Sequence, residues 1–145
     1  MAPKARGRTM ALARDSQEES TIIRILIADD SVAIRDSLSS LLNSKSGFQV
    51  VGLANDGLEA VETARKLLPD VVIMDAQMPN MDGVEATRRI KQTTPGVGIL
   101  LFSVFTDYTE RGMAAGADGY LMKDCELEEL FAELKRIANI STAGK

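Results

Sequence analysis

Five residues of this 145-residue chain stand where chemistry could be done. Asp29 and Asp30 follow the apolar run "IRILIA", and Asp75 follows "VVIM". Ser103 closes "VGILLFS", and Lys123 follows "DGYLM". Each run is short and mostly apolar, and the first three are rich in β-branched residues, as a buried strand requires. If the strands are parallel, all five residues share one edge of a sheet. That edge would hold three carboxylates, a hydroxyl and an ammonium. Like charges in one place repel: a pair at about 4 Å costs roughly 4 kcal/mol at an effective dielectric near 20. Such a cluster persists where a cation binds or where one acid shares a proton. Carboxylates with water suit Mg²⁺, an ion that also recruits phosphate oxygens. Taken singly, each residue has a plainer reading. Asp30 or Asp56 would cap a helix, Ser103 would sit in a turn, and Lys123 would be solvated. Asp75 resists that reading, because Ala76 and Gln77 do not begin a helix.

The rest of the composition narrows the chemistry. There is no histidine, which excludes Ser-His-Asp triads, Cys-His pairs and histidine metal sites. The single cysteine, Cys125, has no internal disulfide partner, so a reducing cytoplasm is expected. No stretch approaches the roughly 20 apolar residues of a membrane helix. The formal charge is −4, but residues 1–14 hold Lys4, Arg6, Arg8 and Arg14 and no acid. Without them 13 basic residues face 21 acidic ones, and the body stands near −8. An acidic body is a poor direct partner for nucleic acid.

The elements that must position the five residues alternate along the chain. Residues 1–21 are polar and without periodicity, and read as a disordered basic arm; Met10 is an alternative start. Ile23 to Ala28 is the first strand. Ser31 caps a helix to about Ser44, with Ile34, Leu38, Leu41 and Leu42 inward. Phe48 to Ala54 is the second strand. Asn55-Asp56-Gly57 opens a helix with Leu58, Val61, Ala64, Leu67 and Leu68 inward, and Pro69 ends it. Asp70 to Asp75 is the third strand. Asp82 caps a helix from Gly83 to about Gln92, with Val84, Thr87 and Ile90 on one side. Val97 to Ser103 is the fourth strand. A weak helix over about Asp107 to Ala115 ends at Gly116, and Asp118 to Met122 is the fifth strand. The last helix starts near Glu126 and turns Leu127, Leu130, Phe131, Leu134 and Ile137 inward. Five strands alternating with five helices predict an α/β, doubly wound parallel sheet. Ligands of such sheets sit at the strands' carboxyl ends, where strand order reverses.

With those residues in place, the chain resembles the receiver domain of bacterial two-component response regulators. The marks are "ILIADDS", "VVIMDAQMPNMDGVEA", "ILLFS" and "GADGYLMKD", in order, over residues 22–140. The resemblance implies a flavodoxin-like (βα)5 fold of strand order 2-1-3-4-5. It implies that Asp75 accepts a phosphoryl group from a sensor histidine kinase. Asp30 would bind Mg²⁺ directly, Asp29 largely through water, and the backbone carbonyl of Gln77 would be a further ligand. Ser103 would be the switch hydroxyl, Lys123 the phosphoryl partner and Tyr120 the aromatic that changes rotamer. The surface of helix four, strand five and helix five would then shift, and that face is the one on which a homodimer is expected. Lys123-Asp124, in place of Lys-Pro, is similar to the branch carrying a LuxR-type (NarL-like) helix-turn-helix, which points to transcription. Residues 141–145, "STAGK", read as a tail. The expectation is either a stand-alone receiver or an output domain outside this chain.

Two positions depart from the family pattern. Val104 replaces the small residue that often follows the switch hydroxyl, which bears on phosphate access. Gln77 lies where attacking water would pass, which bears on phosphoryl lifetime. Three other readings compete. A haloacid dehalogenase-type phosphatase also uses a strand-end aspartate and Mg²⁺, but needs an acid where Gln77 stands. A degenerate receiver would act as a scaffold, against which the full set of five residues argues. A dinucleotide-binding domain would need Gly-x-Gly-x-x-Gly after strand one, where Asp-Asp-Ser stands.

Overall fold

Residues 21–144 are described by a computed structural model. The predicted arm lies outside the described residues except for Thr21. The strands are β1 (Ile23–Ala28), β2 (Phe48–Ala54), β3 (Val71–Met74), β4 (Gly98–Ser103) and β5 (Gly119–Met122). The helices are α1 (Val32–Ser44), α2 (Gly57–Leu67), α3 (Gly83–Thr93), α4 (Thr109–Ala114) and α5 (Leu127–Gly144). The strands form one sheet in the order β2-β1-β3-β4-β5, parallel at every pairing. This is the flavodoxin-like order expected. Because β1 pairs with both β2 and β3, the strand order reverses beside it, and a crevice opens at its carboxyl end.

Side-chain alternation along the strands splits the core in two. Ile25, Ile27, Val71, Ile73, Leu100 and Phe102 face Leu38 and Leu42 of α1 and Leu130, Leu134 and Ile137 of α5. Leu26, Val72, Met74, Ile99 and Leu101 face Ala60 and Ala64 of α2 and Ala86 and Ile90 of α3. All residues of β3 and β4 are buried, and these central strands are apolar up to Ser103 at the end of β4. Full burial of one such side chain contributes about 1.5–3 kcal/mol.

Several helix faces and ends differ from expectation, each for a local reason. Leu58 and Leu68 point outward rather than inward, at 49% and 54% exposure. Gly57 sits tight against the Met81 carbonyl, which rotates α2 so that Gly57, Ala60 and Ala64 form the buried face. Leu68 has left the helix as a left-handed C-cap, φ 49°. Leu127 at the first position of α5 is also exposed, while Phe131 packs its ring on Phe48 with centroids 5.6 Å apart. The α4 helix is shorter than expected, six residues, and its Tyr108 N-cap makes no side-chain capping bond. Asp118 does not join β5; its carboxylate accepts from the Ile99 amide at 2.8 Å and pairs with Lys91. The α5 helix continues through Gly144, into the residues read as a tail. Among the described residues, no helix is long and apolar enough to cross a membrane.

Leu134 is fully buried on α5 and Leu127 is half in solvent. Leu134→Ala is expected to cost about 3 kcal/mol of stability through lost burial and the cavity left behind. Leu127→Ala is expected to cost under about 0.5 kcal/mol. Urea denaturation of both variants measures the contrast.

Candidate functional site

The sheet ladder itself carries the acids past the strand ends. The Asp29 amide donates to Ala54 O at 3.0 Å, and the Asp75 amide donates to Ala28 O at 2.9 Å. Both residues are therefore held as one further rung beyond β1 and β3. On the other side, the Lys123 amide donates to Ser103 O at 2.8 Å, extending the β4–β5 ladder in the same way. Parallel strands of matched register bring the sequence-distant acids and the lysine to one edge.

Asp29, Asp30 and Asp75 each offer a carboxylate oxygen, and these three oxygens lie within 4.8 Å of one another. Asp29 is 2% exposed, Asp75 7%, and Asp30 faces solvent. Lys123 bridges the two buried acids, with Nζ 2.7 Å from Asp29 Oδ2 and 3.4 Å from Asp75 Oδ2. The remaining oxygen of Asp29 accepts from the Ser31 amide at 2.9 Å. Arg35 donates to the Asp29 carbonyl at 2.6 Å and anchors that backbone. Asp75 Oδ1 accepts from the Gln77 amide at 3.2 Å. For Gln77, then, the amide is the group seen on Asp75, and its side chain is exposed. Behind Asp75 the chain turns sharply into α3: the Gly83 amide donates to Ala76 O at 2.9 Å. A Cβ on Gly83 would collide with the Asp75 carbonyl, so glycine is required there.

Charge and burial act together on this edge. Burial raises the Asp75 pKa above its ordinary value, the neighbouring Asp29 charge adds to that, and Lys123 opposes it. Burial pulls the Lys123 ammonium down, but its hydrogen bond to Asp29 and the charges of Asp75 and Asp29 outweigh it, and its pKa stands above the ordinary lysine value. An all-oxygen donor set of this spacing fits a hard divalent cation.

Ser103 is 1% exposed at the end of β4. Its Oγ accepts from the Phe105 amide at 3.2 Å. Tyr120 is tied to the same loop residue, its hydroxyl donating to Phe105 O at 2.6 Å. Phe105 thus joins the two through its backbone. No sequence signal marks it, because peptide groups carry the link and its side chain is exposed.

A family model for the response regulator receiver domain matches residues 25–135. The chain belongs to the response regulator receiver domain family. This receiver is 36% identical over 118 residues to the response regulator GacA of Pseudomonas aeruginosa, a match covering 80% of this chain and 55% of that protein. It is 36% identical over 126 residues to the transcriptional regulatory protein DegU of Brevibacillus brevis, covering 86% of this chain and 53% of that protein. The receiver therefore spans about half the length of these curated relatives. Among solved structures it resembles a two-component response regulator of the LuxR family from Aurantimonas, with TM-score 0.78 and 32% identity, covering 82% of this chain and 86% of that one. The Aurantimonas regulator is of the LuxR family, the branch expected from Lys123-Asp124.

The raised pKa of Asp75 has a consequence for stability. The folded receiver holds that proton more tightly than the unfolded chain does. The stabilising contribution is complete below the ordinary value of 3.8 and is lost as pH rises through the folded-state value. Ionised Asp75 therefore opposes folding at neutral pH in the absence of a divalent cation. Asp75→Asn is expected to melt at a higher temperature than wild type at neutral pH in chelator, with the gain shrinking on acidification. Thermal melts across pH decide this, and an unchanged or lower neutral-pH melting temperature would contradict it.

Proposed function

We propose that this receiver accepts a phosphoryl group on Asp75 from the phosphohistidine of a sensor kinase and relays that event to an output domain or partner, in transcription control. The reading is supported above all by Asp75 being fixed on the sheet ladder between Lys123 Nζ at 3.4 Å and two further carboxylates. An Asp75 oxygen attacks phosphorus, the P–O bond forms as the P–N bond breaks, and the imidazole leaves. Asp29, Asp30, Asp75 and the Gln77 carbonyl are the groups that would hold Mg²⁺. When bound, Mg²⁺ would offset part of the charge of the three carboxylates and the phosphoryl oxygens, with Lys123 adding to it. Phosphoryl transfer needs position and charge compensation more than covalent help. Asp75 supplies the nucleophile, and Lys123 offers its ammonium to the phosphoryl oxygens. The receiver acts on its own side chain and has no separate substrate.

The output follows from Phe105. A phosphoryl group on Asp75 adds roughly −1.5 to −2 charge and three acceptor oxygens, by analogy with other phosphorylated side chains. Drawing the Ser103 hydroxyl toward it takes Oγ from the Phe105 amide, 3.2 Å away, and disturbs the carbonyl that holds Tyr120. Loop and tyrosine then move together, beside the six-residue, weakly capped α4. A coupling of about 1–3 kcal/mol is enough to regulate.

Incubation with Mg²⁺ and acetyl phosphate, read by intact mass, is expected to add one phosphoryl group. Asp75→Ala is expected to add none. Failure of the wild-type chain to incorporate phosphoryl from either acetyl phosphate or its cognate kinase would overturn the proposal.

A further inference from the structure

The segment from Gln77 to Asp82 leads away from Asp75 and carries the Gln77 backbone. It is fastened at a distance from the acids, against the first turn of α2. Asp56 is the N-cap of that helix, and its Oδ1 accepts from the Glu59 amide at 2.8 Å. Its second oxygen, Oδ2, accepts from the Asn80 side-chain amide at 2.7 Å. Asn80 itself is left-handed, φ 68°, a conformation asparagine tolerates better than most residues. Next to it, the Met81 carbonyl lies so close to Gly57 that a Cβ there would collide with it. Glu59 returns to the Asn55 amide at 2.8 Å and completes a reciprocal cap that holds Asp56 in place. The hydrogen bonds from Glu59 and Asn80 keep the Asp56 carboxyl below its ordinary pKa, so it accepts as an anion.

We propose that Asp56 and Asn80 are positioning residues for the acidic pocket: their hydrogen bond pins segment 77–82 to α2 and so fixes where the Gln77 backbone stands beside Asp75. Neither side chain touches the reacting atoms. The loop has two fixed ends, Gly57 against Met81 and Gly83 against Asp75, and the Asp56–Asn80 bond spans the stretch between the Gln77 backbone and Met81. Releasing it loosens the outer side of the segment, leaving the Gln77 backbone to the buried Met78 and its own amide contact with Asp75, while the sheet ladder that holds Asp75 stays intact. The inference rests on the Mg²⁺-dependent reading of the site.

The test uses the full chain, with Mg²⁺ binding measured by calorimetry and loop geometry read from backbone amide resonances. Asp56→Ser keeps a helix cap but lacks the second oxygen. Asn80→Gly keeps the left-handed backbone but lacks the amide. Each is expected to weaken Mg²⁺ binding by about tenfold, the low end for residues that orient metal ligands from outside. Each is also expected to shift the Gln77 and Met78 amide resonances before any ion is added. The double variant is expected to bind no more weakly than the worse single one, because both remove the same bond. Asp56→Asn, which can re-form the contact if the Asn80 amide flips, is expected to recover most of the affinity. Lowered melting temperatures with Mg²⁺ affinity within about twofold of wild type would reduce the pair to a structural cap and overturn the inference. Additive losses in the double variant would overturn it as well. A wild-type chain that binds no Mg²⁺ would instead defeat the reading beneath it.

Discussion

Crowded negative charge at the reversal of strand order is the constraint on which the rest of the structure depends. Asp29 and Asp75 are both nearly buried, and both are locked to the sheet by their own amides. They cannot separate without breaking rungs of the ladder. Lys123 answers part of that repulsion, closer to Asp29 than to Asp75. Burying charged groups is costly unless partners compensate them. The imbalance falls on Asp75, whose proton is held more tightly than usual. The residue proposed to do the chemistry is thus also the buried acid that lies farther from Lys123.

A stiff centre makes this tension useful. The sheet's inner strands β3 and β4 are covered on both faces, α1 and α5 on one side and α2 and α3 on the other. Strain at the edge cannot relax by moving those strands. The softer parts beside that edge are the loop after Ser103 and the short α4. Elements with little capping and few turns are where local opening is least costly.

Much of this was legible in the sequence, and what was not has a common cause. The strand runs and the acids at their ends were readable because a buried parallel strand must be apolar throughout and a ladder end must be polar. Strand order and the roles of the site residues came from the family resemblance. Helix orientation was less readable: Leu58 and Leu68 look like core residues by composition, but Gly57 against Met81 sets the rotation of α2, and that contact is tertiary. The short α4 and the release of Asp118 from β5 depend likewise on competing hydrogen bonds. Phe105 was invisible because its contribution is made by a peptide amide and carbonyl, which every residue type except proline possesses.

That last point bears on how such a domain diversifies. The connection between Ser103 and Tyr120 runs through main-chain atoms, while the side chains of Val104 and Phe105 stand in solvent at 59% and 48% exposure. The link asks of position 105 only that it keep its amide hydrogen, which excludes proline alone. Substitution there remodels the outer face while the two main-chain hydrogen bonds beneath it stay in place. The main-chain link and the outward surface are thereby separable in the same few residues.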